Sequence, residues 1–317
     1  MDQLCLPLLS ITAGYILTSF YLLRNPGVIH RKKRLAFQCR HISHRGGAGE
    51  RIENTMEAFQ HALACHTEML ELDCHMTRDG QVVVSHDQNL LRQTGTDVNI
   101  ADRDYADLPP YKEKLEVWFY PGHYSSGSDR KIPLLEDVFQ TFPHLPINVE
   151  IKVDSRELIR KVSDLVKKYH REEITVWATK SKQKMQSCHK ENPYMPMSFT
   201  SRRIIWTLLL FYAGFLPFVP LPESCFECFM PSIINRYYFP EMPILRNKHV
   251  ARLLDWLLMR KSLIRHLTDR GIQVYFWVLN EESDYRQALD YGVTGVMTDY
   301  PSKLRKFLDE MPPVRGS

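Results

Sequence analysis

The 317-residue chain lacks a strong excess of charge of either sign, because 41 Lys and Arg residues oppose 37 Asp and Glu residues. A net charge of +4 is too small to indicate a nucleic-acid-binding protein. The seven cysteines are an odd number spread over a long chain, which argues against a disulfide scaffold. The sequence has a single CxxC pair, Cys225 and Cys228, and without a second pair we interpret it as structural.

Internal repeats are also absent, and so is the composition of disordered or coiled-coil proteins, since 44% of residues are hydrophobic and 25% charged. The length suits one large α/β barrel or two modest domains. A globular fold is therefore expected for most of the chain.

Short apolar or β-rich segments alternate with helical patterns over residues 40–310. The predicted strands are His41–His44, Met69–Cys74, Val82–His86, Ile147–Ile151, Ile174–Ala178, Met197–Thr200, Gln273–Leu279 and Gly295–Thr298. The predicted helices include Thr55–Cys65 with Asn54 as its N-cap, Arg156–Tyr169, Ala251–Arg270 and Glu282–Tyr291. Eight strands alternating with helices predict a (β/α)8 TIM barrel, with residues 88–133 as an insertion after the third strand and 311–317 as a tail.

The N-terminal run Leu4–Leu23 contains twenty residues and no charge. A helix of this length crosses the roughly 30 Å hydrocarbon core of a bilayer. A cleaved signal peptide would carry basic residues before the run, whereas here Asp2 precedes it and basic residues follow. We therefore predict a retained transmembrane anchor over residues 1–24 and a basic juxtamembrane linker over 25–39, with the bulk of the chain in the cytosol by the positive-inside rule.

A second run without charge covers residues 204–222. Three prolines in its second half end a helix near Leu216, which leaves the helix short for a full crossing. If the run crossed the bilayer, the strands on either side of it would be separated and the barrel would not close. We predict a lipid-facing insertion near the barrel mouth, with Trp206, Phe211 and Phe215 turned towards lipid. A hydrophobic helix buried inside the domain is the alternative.

Reactive side chains gather at the ends of the first four predicted strands. Catalytic groups of TIM barrels lie at the C-terminal ends of strands, so these side chains are expected to share one mouth. The candidate residues are His44, Arg45, Glu71, Asp73, His86, Glu150 and Lys152.

Three of these candidates, Glu71, Asp73 and Glu150, are carboxylates expected to point into the same space, because residues i and i+2 share a strand face. They would repel one another unless a cation lay among them, and hard oxygen ligands suit Mg²⁺ or Ca²⁺. Histidines that exchange protons near neutral pH, the planar fork of Arg45 and the point charge of Lys152 together suit a phosphate diester.

The ordered motifs over residues 40–310 resemble the glycerophosphodiester phosphodiesterase family. The motifs are His44-Arg45-Gly46, Glu53-Asn54-Thr55, Glu71-Leu72-Asp73, Thr77-Arg78-Asp79-Gly80, Val84-Ser85-His86-Asp87, Glu150-Ile151-Lys152 and the segment from Gly295 to Pro301. The N-terminal run and the segment from Leu257 to Lys261 resemble the small membrane-anchored lysophospholipase D members more than the bacterial enzymes that act on free glycerophosphodiesters.

The resemblance implies a role for each candidate residue. His44 and His86 correspond to the general acid/base pair, and Glu71, Asp73 and Glu150 to the ligands of a divalent cation, with His86 as an alternative ligand. Arg45 is implied as a catalytic and phosphate-binding residue, Lys152 as a phosphate-binding residue, and Trp277 as a substrate contact, for which plain barrel packing is the alternative. In the family mechanism a free glycerol hydroxyl attacks phosphorus, and water then opens the cyclic phosphate.

That mechanism needs a free hydroxyl beside the phosphate, which a diacyl phospholipid lacks. That chemistry favours lysolipids or free glycerophosphodiesters, and the two apolar runs, 4–23 and 204–222, favour the lysolipids. The expected activity is hydrolysis of lysophosphatidylcholine, lysophosphatidylethanolamine or N-acyl-lysophosphatidylethanolamine to lysophosphatidic acid. The alternatives are an enzyme for soluble diesters such as glycerophosphocholine and a non-catalytic membrane adaptor. Expected partners are lysophospholipid and membrane lipid and no nucleic acid, with no protein partner indicated. The resemblance suggests endoplasmic reticulum and perinuclear membranes.

Overall fold

A computed structural model describes the backbone of residues 2–311 and the side chains of residues 10–311. The strands are β1 His41–His44, β2 Met69–Met76, β3 Val82–Val84, β4 Lys114–Glu116, β5 Tyr124–Ser126, β6 Ile147–Ile151, β7 Thr175–Ala178, β8 Cys225–Phe229, β9 Gln273–Trp277 and β10 Gly295–Thr298. The helices are α1 Asp2–Arg24, α2 Met56–Ala64, α3 Leu91–Thr94, α4 Leu135–Thr141, α5 Arg156–Lys168, α6 Lys182–Glu191, α7 Ser201–Tyr212, α8 Lys248–Leu258, α9 Lys261–Asp269, α10 Glu282–Tyr291 and α11 Pro301–Glu310.

Seven parallel strands form one sheet in the order β7-β6-β2-β1-β10-β9-β8. The segment at Met197 and Ser198 lies between the two ends of this sheet. Met197 bridges in parallel to Trp177 of β7, and Ser198 bridges in parallel to Cys225 of β8. These two bridges occupy the eighth strand position of a ring. The predicted α/β class with a parallel barrel sheet is confirmed.

Two strand assignments from the sequence were wrong. β3, predicted as the third barrel strand, pairs antiparallel with β2. The turn between them is only a few residues long, whereas a parallel crossover needs a dozen or more. β8, which was not predicted, takes a place in the ring instead, and it contains the CxxC pair. Its Glu227 interrupts the apolar run, which hid the strand from the sequence pattern.

The helix predictions were largely correct within a residue or two, and α5 and α10 match closely. For α2 the N-cap is Thr55, one residue after the predicted Asn54, and the Thr55 side chain accepts a hydrogen bond from the Ala58 N–H. The single long helix predicted over Ala251–Arg270 was wrong, because the helix is interrupted at Met259 and Arg260, which separate α8 from α9. The apolar spacing continues across the break and gave no sign of it.

The barrel interior is apolar at the end opposite the mouth. Ile42 of β1 lies in register with Met69 of β2, and two residues further along the same strands His44 lies in register with Glu71. The inward-facing positions therefore change from apolar to polar towards the carboxyl ends of the strands. The buried apolar residues of this interior are Phe37, Cys39, Ile42, Met69, Val176, Cys225, Tyr275 and Met297.

Helix α1 packs against the lower part of the barrel wall. The Tyr15 hydroxyl donates to the Ala213 carbonyl at 2.5 Å, and the Ser19 hydroxyl donates to the Gly214 carbonyl at 2.6 Å. Among the described residues, none of the helices has both the length and the apolar character needed to cross a membrane. The predicted anchor begins at Leu4, outside the residues with described side chains, and it stays a prediction.

The apolar run 204–222 forms most of α7 and the turn after it. Since α7 follows the segment at Met197 and Ser198, it starts at the mouth and runs back along the barrel, so the end of the run lies far from the mouth. Trp206 and Phe215 are about half exposed, at 48% and 51%. Phe211 instead packs against the core, which corrects its expected orientation. A helix buried inside the domain is also excluded, because Thr207 is the one buried residue of α7.

Candidate active site

The three predicted carboxylates meet at the barrel mouth. Asp73 of β2 lies in register with Glu150 of β6, and Glu71 lies two residues earlier on β2. The ligand atoms of the three side chains all lie within 4.8 Å of one another. Burial, together with the charges of Asp73 and Glu150, raises the pKa of Glu71 well above its ordinary value. Despite its burial, Asp73 has a pKa below the ordinary value, because Lys152, His86 and Arg45 stabilise its charge.

The residues present fit a divalent cation. Carboxylate oxygens are the ligands that Mg²⁺ and Ca²⁺ prefer, and a cation among them would relieve the repulsion that raises the pKa of Glu71. The side chain of Lys152 places a positive charge beside two of these carboxylates. Its Nζ lies 3.2 Å from Asp73 Oδ1 and 3.4 Å from Glu150 Oε2. His86 does not belong to this group of ligand atoms, which favours its acid/base role over its alternative role as a ligand.

His44 is held at the end of β1 by a side chain that follows β10. Its Nδ1 lies 2.7 Å from Asp299 Oδ1, and its Nε2 lies 3.9 Å from Glu71 Oε2. Asp299 in turn accepts a hydrogen bond from the Asn280 amide at 3.0 Å. The ring therefore presents Nε2 to the carboxylates. Sequence reasoning gave no role to Asp299, although the motif ending at Pro301 contains it.

His86 follows β3 and faces the same mouth. Its Nδ1 lies 2.6 Å from Asp87 Oδ1, and the other oxygen of Asp87 accepts a hydrogen bond from Arg92 Nε at 2.6 Å. The Trp118 ring lies beside both, 5.8 Å from the His86 ring and 5.2 Å from the Arg92 guanidinium carbon. Burial and the positive charge of Arg45 lower the pKa of His86, which favours the neutral ring at pH 7. Trp118 and Arg92 come from the inserted segment and were missed by sequence reasoning.

Arg45 lies beneath the carboxylates and is only 3% exposed. Its Nη1 donates to Glu53 Oε2 at 3.0 Å, and its Nε lies 3.5 Å from Asp73 Oδ2. Glu53 also accepts from Arg92, and the Asn54 amide donates to Asp73 at 3.0 Å. The Glu53-Asn54 motif therefore fixes Arg45 and Asp73 in place. The phosphate contacts of Arg45 and Lys152 stay predictions.

Trp277, at the end of β9, belongs to a set of rings that we call the aromatic wall, formed with Phe119, Phe229 and Tyr238. The Trp277 centroid lies 6.0 Å from Phe119, 5.8 Å from Phe229 and 6.2 Å from Tyr238. Phe119 meets the His44 ring edge-on at 5.4 Å. Phe119 therefore lies between Trp277 and His44, and the substrate contact of Trp277 stays a prediction.

A polar pair that the sequence did not predict lies below two of the carboxylates and level with the third, Glu71. The Asn148 amide of β6 donates to Glu227 Oε1 of β8 at 2.9 Å, across the barrel interior. Burial raises the pKa of Glu227 to about 7. Asn148 is in register with Glu71, so the pair lies one layer deeper than Asp73 and Glu150.

Comparisons with known proteins identify relatives of this chain. The model of the glycerophosphoryl diester phosphodiesterase family matches residues 44–204 and 239–303. A lysophospholipase D of Rattus norvegicus is 54% identical over 304 residues, which cover 96% of this chain and 97% of the relative. A lysophospholipase D of Homo sapiens is 52% identical over 300 residues, which cover 95% and 94%.

Solved structures share the fold at low sequence identity. A glycerophosphoryl diester phosphodiesterase structure from Silicibacter pomeroyi has a TM-score of 0.62 and 21% identity, and the match covers 89% of this chain and 96% of that one. An Oleispira antarctica phosphodiesterase, solved with the product sn-glycerol-3-phosphate, has a TM-score of 0.60 and 18% identity, with 86% and 98% covered. At these identities the two structures support the fold alone.

Proposed function

Because this chain belongs to the glycerophosphoryl diester phosphodiesterase family, we propose that it is a divalent-cation-dependent lysophospholipase D. Family membership makes it a phosphoric diester hydrolase. The proposed substrates are lysophosphatidylcholine, lysophosphatidylethanolamine and N-acyl-lysophosphatidylethanolamine, and the lipid product is lysophosphatidic acid. The observation that carries the proposal is the meeting of two histidines with three clustered carboxylates, on a chain whose near-full-length relatives carry the name lysophospholipase D.

The two histidines differ in a way that suits opposite roles. Asp87 accepts from Nδ1 of His86, and the lowered pKa keeps that ring neutral, so its Nε2 lone pair is free to take a proton from the glycerol hydroxyl. Asp299 lies against Nδ1 of His44 and fixes the orientation of the ring, so that Nε2 faces the mouth, where it donates a proton to the departing headgroup alcohol.

The hydroxyl oxygen forms a bond to phosphorus as the bond to the headgroup oxygen breaks, which leaves a cyclic phosphate on the glycerol. Water then opens the ring while the histidines exchange roles. A divalent cation held by Glu71, Asp73 and Glu150 would polarise the phosphorus–oxygen bonds and offset the charge on the non-bridging oxygens. Lys152 and Arg45, which both lie beside Asp73, would add positive charge near the phosphate oxygens.

An apolar surface supports a lipid substrate. Large apolar side chains are exposed along α7, along α8 and on the loop between β8 and α8, and we call this surface the apolar flank. Its members are Ile205, Trp206, Leu209, Tyr212, Phe215, Phe218, Phe239, Met242, Ile244, Leu253 and Trp256. The Tyr212 and Trp256 rings stack at 5.9 Å, which joins α7 to α8. Exposed patches of this extent are typical of membrane or protein contacts.

We further propose that the apolar flank contacts lipid together with the N-terminal anchor over residues 1–24. Phe215 and Phe218 pack against Tyr15 of α1, so the flank continues onto the helix that contains the proposed anchor. The proposed location is the endoplasmic reticulum and perinuclear membranes, with the barrel in the cytosol.

The test of the proposed function is an assay of the purified full-length chain on lysophosphatidylcholine in vesicles and on glycerophosphocholine in solution. The expected result is release of choline and lysophosphatidic acid from the first substrate at a higher kcat/KM. A clear preference for glycerophosphocholine would instead support an enzyme for soluble diesters, and no turnover of either substrate would support the adaptor.

Polar substitution on the apolar flank is expected to lower activity selectively. Trp206→Ser and Phe215→Ser remove apolar area from the surface without opening the core, so turnover of long-chain lysophosphatidylcholine in vesicles falls several-fold and that of glycerophosphocholine does not. Phe211→Ser is the matched control, since Phe211 packs against the core and its loss lowers stability and both activities together. Equal losses on both substrates for Trp206→Ser and Phe215→Ser would remove the lipid-contact role.

A further inference from the structure

We propose that Glu227, Asn148 and the aromatic wall form a subsite for a cationic headgroup, the ammonium of choline or ethanolamine. This inference rests on the proposed function, because it concerns the substrate of the same site. Among the proposed substrates, it favours the charged choline and ethanolamine headgroups over the uncharged N-acylethanolamine headgroup.

The floor of the subsite is built from two strands that are not neighbours in the barrel, β6 and β8. The hydrogen bond between Asn148 and Glu227 crosses the interior, so both side chains point inward. Asn148 is 1% exposed, and its Oδ1 has no hydrogen-bond partner. Buried polar atoms are nearly always paired, so an unpaired one indicates a missing group. The two atoms of the pair outside this hydrogen bond, Asn148 Oδ1 and Glu227 Oε2, are both acceptors. The missing group is therefore a hydrogen-bond donor or a cation.

The floor lies within reach of a group bound at the cation site. Asn148 and Glu150 are two residues apart on β6 and share its inner face, which separates their layers by roughly 7 Å along the strand. An extended phosphocholine group spans most of this depth between its phosphorus and its nitrogen. A phosphate at the carboxylates therefore places an ammonium near Glu227. Glu227 itself is partly exposed.

The aromatic wall stands directly above this floor. Phe229 follows Glu227 by two residues on the same face of β8, and it lies in register with Trp277. Tyr238 packs against both rings at 5.9 and 6.2 Å. Ring faces carry negative charge density that attracts ammonium groups, and quaternary ammonium ligands are commonly bound by such rings. The carboxylate of Glu227 below and the aromatic wall above therefore favour a cationic headgroup over a neutral polyol.

Three of the six side chains of the subsite come from one segment of the chain. The family model leaves residues 205–238 unmatched, and this segment supplies Glu227, Phe229 and Tyr238. The catalytic residues, in contrast, all lie within the matched ranges. Half of the subsite therefore lies outside the part of the chain that the family model matches.

The experiment compares headgroups of different charge on the full-length protein and its Glu227→Gln variant. The substrates are lysophosphatidylcholine and lysophosphatidylglycerol of the same acyl chain, in the same vesicles. Glu227→Gln is expected to raise the KM for lysophosphatidylcholine roughly tenfold and to change lysophosphatidylglycerol turnover less than twofold. Phe229→Leu keeps an apolar side chain without the ring face, and the same selective loss is expected. Glu241→Gln, an exposed carboxylate on the following loop, serves as the control.

Equal losses on both substrates would show that Glu227 supports the barrel and not the headgroup, and no loss on either would also overturn the subsite. A selective loss on lysophosphatidylglycerol would assign the floor to a hydroxyl donor and contradict the cationic headgroup. If the wild-type protein accepts only soluble diesters, the proposed function fails, and glycerophosphocholine against glycerophosphoglycerol then tests the subsite by the same comparison.

Discussion

His44→Ala and His86→Ala are each expected to lower kcat by about 10²–10⁴ on lysophosphatidylcholine, the contribution typical of a positioned proton-transfer group. Each histidine has its own partner carboxylate, Asp299 for His44 and Asp87 for His86. Neither ring replaces the other, because they arise from different strands and face the mouth from different sides. The KM is expected to change much less than kcat, because the rings transfer protons in the transition state and contribute little to binding of the ground-state lipid.

The control for these variants is His189→Ala, which removes an exposed imidazole from α6. Thermal unfolding of all three proteins separates lost chemistry from lost folding, and we expect midpoints close to wild type. His44 and His86 contribute little to the apolar core, so alanine leaves no large cavity. Near-normal turnover by both active-site variants would disprove the acid/base assignment.

Loss of a mouth carboxylate is expected to weaken divalent-cation binding by at least about tenfold, the lower end of the loss seen when an outer partner of a metal ligand is removed. Glu71→Gln and Glu150→Gln each take one charged oxygen ligand from a group whose ligand atoms lie within 4.8 Å. Chelation of the wild-type enzyme should abolish turnover, and added Mg²⁺ or Ca²⁺ should restore it. Calorimetric titration of each cation into the protein measures binding without reference to activity.

The matched control is Asp104→Asn, which neutralises an exposed carboxylate paired with Arg78 far from the barrel axis. Cation affinity of this variant is expected to equal that of the wild type. Full activity in excess chelator, or unchanged calorimetric affinity in both Gln variants, would remove the cation from the proposed site.

Much of the mouth was predictable from sequence because its residues come in short motifs at strand ends. The i and i+2 spacing of Glu71 and Asp73 already placed both on one face, and the structure brings Glu150 beside them. The alternation of short apolar segments with helical patterns predicted the barrel class, because that alternation does not depend on which strand lies next to which.

Residues that act across the barrel were not predictable in the same way. Asp299 touches His44 over a separation of 255 positions, and Glu227 touches Asn148 over 79. No local pattern encodes such pairs, because they depend on which strands close the ring. The wrong assignment of β3 to the barrel, in the place that β8 takes, has the same origin. The local sequence of β3 is that of a strand, but its antiparallel direction is set by the short turn before it.

The apolar flank runs the length of the barrel from the mouth loop at Phe239 to the turn at Phe215, and does not ring the opening. If the protein is seated on a bilayer through this side, its barrel axis lies along the membrane plane and its opening faces sideways. A lysolipid would then enter by moving laterally within the leaflet rather than by being lifted out of it. The released headgroup would leave through the open rim into water, and the lipid product would return to the same leaflet.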